Sequence, residues 1–172
     1  MARQAEPLWR LSAHSLLPRS RWEAIRRTVL EELGLRCSSC GTAIERGATC
    51  HEQWAYEEKS GVARLHGLTI ICRPCNGVHH AGRASFAGRR GAVLAQLAEV
   101  NSVEPAKAHA VLRTAMNEWR RRSSRSWTIV VAPELLARFP DLLVLDGLSG
   151  TPGDGRQRLR ESGRPGKRQL NG

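Results

Sequence analysis

Two Cys-x-x-Cys pairs constrain this chain more than anything else in it: Cys37 with Cys40, and Cys72 with Cys75. Each pair offers two thiolates from one tight turn, and four thiolates are a complete donor set for a tetrahedral structural Zn²⁺. Between the pairs lies His51-Glu52, and Asn76, His79 and His80 follow directly after the last cysteine. Histidines gathered beside a metal clamp point to chemistry beyond folding.

Composition narrows the setting. The chain has 172 residues, enough for one domain with extensions, and 41% of them are hydrophobic. Its formal charge of +11 favours a polyanionic partner, nucleic acid above all. Charge that only keeps the fold in solution is the competing reading. No apolar run follows the N-terminus that would serve as a signal peptide, and no stretch approaches the roughly 20 apolar residues of a membrane span. A cytoplasmic protein with no membrane partner is the expectation. In that reducing compartment paired Cys-x-x-Cys units read as metal ligands, with a redox dithiol as the rival.

Periodicity supplies an α+β outline. Residues 1–17 show no strong period and read as an irregular arm. Ser20-Arg21-Trp22-Glu23 fits a capping box, and Trp22, Ile25, Val29 and Leu33 then recur at helical spacing until Gly34. The pattern predicts a helix from about 20 to 33. Strands are expected from Thr49 to Tyr56 and from Val62 to Cys72, joined by a turn at Glu57-Glu58-Lys59-Ser60-Gly61. His66-Gly67 interrupts the second strand as a bulge would. A short helix from Pro74 would carry Asn76, His79 and His80 and end at Gly82. Two more helices fit 88–100 and 103–122, the latter burying Ala108, Val111, Leu112, Ala115 and Trp119. Its end, Arg120-Arg121-Arg122, suits the negative pole of a helix and also phosphate. A strand over Trp127–Ala132 and a helical turn over Pro133–Phe139 follow. The main domain is placed at 18–146. Beyond it, 147–172 reads as a disordered basic tail, with six basic against two acidic side chains from Thr151 onward.

The runs Cys37-Ser-Ser-Cys40, Cys50-His51-Glu52-Gln53-Trp54-Ala55-Tyr56 and Ile71-Cys72-Arg73-Pro74-Cys75-Asn76-Gly77-Val78-His79-His80 together resemble the HNH endonucleases. Trp119-Arg-Arg-Arg-Ser123-Ser-Arg-Ser-Trp127 is similar to a segment that follows the zinc half in a bacterial subgroup of that family. The resemblance spans roughly residues 16–142. It implies a small zinc-clamped ββα-metal core with flanking helices, and metal-dependent hydrolysis of phosphodiester bonds in DNA, RNA not being excluded.

Residue by residue, the resemblance makes His51 the general base, since a neutral imidazole can accept the proton of an attacking water. Asn76 and His80 match positions that hold or frame a catalytic Mg²⁺ or Mn²⁺, and Glu52 would add a carboxylate. His79 and His80 stand about 100° apart on a helix, so one of the two is expected to serve; the match favours His80. Cys37, Cys40, Cys72 and Cys75 would hold the structural zinc. The chain departs from the family where many members carry an Asp before the catalytic His, here Cys50, and a His after the last Cys, here Asn76. Cys50 reads as a small buried thiol, its place beside His51 leaving a metal role open. His14, His66 and His109 read as bystanders, and Trp54 and Tyr56 as core. The alternatives are a zinc-stabilised nucleic-acid-binding protein with a weakened or inactive site, and a zinc-ribbon adaptor for protein.

Overall fold

The computed structural model describes residues 4–162, apart from the side chains of residues 85 and 86. At its centre are β1 (Thr49–Glu57) and β2 (Val62–Ile71), an antiparallel hairpin. Gly61 closes the turn between them at φ +69°, the left-handed region that glycine enters without a Cβ penalty. Gln53 pairs with Gly67 and Trp54 with Leu65, so His66 is the extra residue of a β-bulge. The bulge falls where His66-Gly67 predicts it.

Two helices precede the hairpin, α1 (Ala13–Leu16) and α2 (Arg19–Leu33). Four follow it: α3 (Arg73–His79), α4 (Ala81–Phe86), α5 (Arg90–Asn101) and α6 (Pro105–Ser123). β3 (Trp127–Val131) then returns parallel to β2, and β4 (Ser149–Gly150) pairs antiparallel with β3, giving the sheet order β1-β2-β3-β4. α7 (Pro133–Arg138) lies between β3 and β4, and α8 (Asp154–Ser162) closes the described chain. The mixed helix-and-sheet class agrees with the α+β expectation. Among the described residues no helix is long and apolar enough to cross a membrane.

Apolar residues divide between two cores. The larger joins Trp22, Ile25 and Val29 of α2 to Trp54, Leu65, Ile70, Ile71, Trp127 and Ile129 of the sheet, and takes in Cys37, Cys50 and Cys75. The smaller is helical and holds Ala81, Ala84, Val93 and Leu112. Full burial of a large apolar side chain stabilises by roughly 1.5–3 kcal/mol, so the first core dominates. Leu33 lies outside both, 51% exposed.

Several expectations are corrected. α2 starts one residue before Ser20, behind Pro18, and no side chain caps it; proline presets the entry φ and the capping box is not formed. Gly82 does not end a helix, because α4 runs through it. The buried stripe of α6 is narrower than its period suggests: Ala108 and Leu112 are buried, while Val111 and Ala115 face out. The first 17 residues are no irregular arm throughout. A 3₁₀ turn at Glu6–Leu8 is buried, Ala5 N–H donates to the Tyr56 hydroxyl at 2.7 Å, and Trp9 stacks on Trp119 with centroids 5.9 Å apart.

The tail is also ordered as far as Ser162. The buried Glu6 carboxylate accepts from Gly153 N at 3.0 Å and Arg156 N at 2.8 Å, satisfying orphan donors at the start of α8. One buried acid near the front of the chain thereby binds a basic segment near its end, a pairing that composition alone does not reveal. The expected disorder over 163–172 lies outside the described residues.

Candidate functional site

The four cysteines converge. Cys37 and Cys40 flank the turn after α2; Cys72 sits at the N-cap of α3, and Cys75 is one turn inside it. Backbone bonds brace both knuckles: Gly41 N–H donates to Cys37 O at 2.8 Å, Asn76 N–H to Cys72 O at 2.9 Å, and Ser38 N–H to Ile70 O at 2.9 Å. The four sulfurs lie within 4.8 Å of one another, with Cys40 and Cys72 Sγ 3.8 Å apart. Tetrahedral zinc–sulfur bonds of about 2.3 Å place sulfurs about 3.8 Å apart. The set is positioned to hold a metal ion and fits Zn²⁺.

Electrostatics agree with that fit. Burial raises the Cys37 thiol, but hydrogen bonds with the backbone at Cys72, Cys40 and Ser39 outweigh it and bring the pKa down to about 6. Burial, then crowding by Cys72, Cys40 and Cys37, pushes Cys75 up. One ionised thiol therefore opposes the ionisation of its neighbours until a cation relieves them. Cys50 is no part of this set. It is buried on β1, its thiol pushed up to about 12 by burial and then by the nearby Glu52 carboxylate.

A second cluster forms where α3 packs against β1. The His51 ring lies 4.7 Å from that of His79 and 5.8 Å from that of His80. Asn76 stands one turn before His80, whose N–H donates to Asn76 O at 3.0 Å. Among the described residues His51 Nδ1 on β1 and Asn76 Oδ1 on α3 are buried without a hydrogen-bond partner. Buried polar atoms are nearly always paired, so each of these asks for a reason. Burial lowers the His51 pKa, against a hydrogen bond with the Glu52 backbone, and favours the neutral ring.

His79, which the resemblance passes over in favour of His80, belongs to the cluster. The 100° argument holds only inside a regular helix, and His80 is the C-cap of α3 at φ −107° and ψ 35°. Both rings therefore approach His51, with His79 the nearer.

Glu52 does not join them. Side chains alternate along a strand, and Glu52 points with Cys50 and Trp54 away from the His51 face. The residue as a whole is half-buried, but its carboxylate is enclosed. It accepts from Ala13 N at 2.7 Å and Trp54 Nε1 at 3.2 Å. Burial pushes its pKa up to about 7 in spite of those two bonds. Among the described residues no second group of histidines, cysteines and carboxylates converges as the four cysteines do. Comparison with protein-family models, curated proteins and solved structures finds no match for this chain.

Proposed function

We propose that the chain is a zinc-clamped, metal-dependent endonuclease of the HNH type, hydrolysing phosphodiester bonds in DNA. One observation carries the reading: a half-buried, neutral-leaning histidine on a strand faces two histidines at the end of a cysteine-anchored helix, and its buried Nδ1 is unpaired among the described residues.

His51 is the general base. Its low pKa keeps the ring neutral at pH 7, able to take a proton from water held against the scissile phosphate. Asn76 offers a neutral oxygen and His80 a nitrogen for Mg²⁺ or Mn²⁺, which would supply charge to stabilise the departing oxygen. His79, nearest His51, orients the base ring or contacts phosphate. The four cysteines keep α3 at its distance from β1.

A silent nucleic-acid-binding protein is the second reading, and one feature favours it: Glu52, the expected carboxylate, is turned away and hydrogen-bonded elsewhere. Plasmid cleavage by the zinc-loaded protein, with Mg²⁺, with Mn²⁺ and with neither, separates the two. Nicking that needs the added ion and disappears in His51→Ala supports the enzyme. Equal silence of wild type and variant, with DNA binding intact, overturns it.

A further inference from the structure

The helical core leaves a half-open groove of about 440 Å³ between α4, α5 and α6. Ala81, Leu112 and Met116 form its floor, and Arg90, Arg113 and Arg120 stand around it. The volume lies within the roughly 300–1,000 Å³ of small-ligand sites. Among the described residues no acidic side chain lines the groove. Neither Arg90 nor Arg113 forms an ion pair among the described residues. Arg120 donates to Asn117 Oδ1 at 2.9 Å, a neutral partner. The next two arginines differ: Arg121 pairs with Glu58, and Arg122 with Glu118 at 3.5 Å. Of three consecutive arginines, two are held by carboxylates and one is left to the groove.

Two chemistries meet here. Guanidinium groups without carboxylate partners match phosphate oxygens. An apolar floor containing a thioether suits the face of a flat aromatic ring. A nucleotide supplies both. The groove also begins where the histidine cluster stops, because Ala81 is bonded to His80. We propose that it receives one unstacked nucleotide beside the phosphate that faces His51, with the base on Leu112 and Met116 and its phosphate among Arg90, Arg113 and Arg120. A base stacked within a duplex cannot lay its face on a protein floor, so the preferred substrate is single-stranded or locally unpaired nucleic acid. This inference rests on the nuclease reading of the histidine cluster.

Anisotropy of a labelled 20-nucleotide thymidine oligomer, and of a blunt duplex of equal length, tests it with full-length His51→Ala protein and no added divalent ion. The oligomer should bind about tenfold tighter than the duplex, the scale of one base stacked on protein. Added Arg113→Gln or Arg90→Gln should weaken oligomer binding several-fold and lower the salt slope by about 0.7. Met116→Ala should weaken it without changing the slope. Arg27→Gln, an exposed arginine on α2 outside the groove, is the control. Equal binding of duplex and oligomer, or groove variants that match the Arg27 control, overturns the proposal. Cleavage separates the two layers. Activity in otherwise wild-type Arg113→Gln equal to that of wild type sinks the groove alone, whereas wild-type protein that never cuts sinks the nuclease reading beneath it.

Discussion

His51 and Glu52 are neighbours on β1, both ionisable and both shifted by burial, yet the strand sends them to opposite faces. Each oxygen of the Glu52 carboxylate has a donor, Ala13 N for one and Trp54 Nε1 for the other. Among the described residues His51 Nδ1 has no hydrogen-bond partner, and two histidine rings crowd its own ring. A perturbed pKa thus fails to tell the two apart, since burial produces it on either face. Hydrogen-bond saturation does tell them apart. A satisfied buried polar group reads as architecture, and an unsatisfied one reads as a place where something binds.

The faces also have different supports, and the largest expected effect removes only one of them. α3 is tied down by Cys72 and Cys75, whereas the N-terminal segment that covers Glu52 is held through Glu6 and α8. On the order of 10 kcal/mol of apparent folding free energy accompanies structural zinc in small domains. Cys75→Ser, or stripping the metal, should therefore lower the melting temperature by more than 10 °C. Amides of α3 should lose hydrogen-exchange protection before those of β1 paired with β2. Simultaneous loss on both faces would mean that the two supports are one.

Next in size is the split between chemistry and stability. On the proposed nuclease reading, removing a general base costs about 10²- to 10⁴-fold in rate, so His51→Ala should lose that much cleavage while melting close to wild type. Glu52→Ala should do the reverse. Unsatisfied buried donors cost roughly 1–3 kcal/mol each, so its melting temperature falls while cleavage per folded molecule persists. A Glu52→Ala protein that folds and does not cut would return Glu52 to the site.

A pH series sharpens the contrast because the two shifts have opposite signs. Glu52 has a folded pKa of about 7 against 4.5 for the free carboxyl, so between those values the folded state holds the proton more tightly. Its stabilising contribution is complete below pH 4.5 and is lost as pH rises to about 7, at up to about 1.4 kcal/mol per pH unit. His51 is lowered from 6.5; it contributes stability above 6.5 that is lost as pH falls. Urea melts of wild type and Glu52→Gln should thus diverge between pH 5 and 7.5, with the variant gaining relative stability as pH rises. Parallel curves would show that the carboxylate is ionised throughout.

Much of this arrangement is legible in the sequence. Cysteine spacing places the metal centre, period-2 segments place β1 and β2, and His66-Gly67 marks the bulge. Alternation along a strand is equally legible, and it forbids His51 and Glu52 from facing the same helix, against what the resemblance implies. Other features leave no local signal. His79 enters the cluster because α3 loses its regular geometry at His80, and no pattern of residue types announces a C-cap dihedral. The folded ends escape detection for a related reason. A three-residue 3₁₀ turn has no period to find, and α8 is held by Glu6, an acid far away in sequence that composition counts as solvent-facing.

Those ends yield the smallest effect, and the one that best isolates the Glu52 face. Gly155 opens α8 directly against the backbone of Glu6: a Cβ there would meet the Glu6 carbonyl, and main chain cannot step aside as a flexible side chain can. Gly155→Val should push α8 off the 3₁₀ turn, loosening Gly153 and Arg156 from the Glu6 carboxylate. Overpacking of this kind costs about 1–3 kcal/mol, a fall of several degrees in melting temperature for a domain of this size. Because Ala13 belongs to the same N-terminal segment, water should reach Glu52 more readily and its pKa should move back from about 7 toward 4.5. The His51 face shares none of these contacts, so cleavage at a temperature where the variant stays folded should match wild type. Loss of cleavage there would mean that the two sides of β1 are coupled through the strand itself.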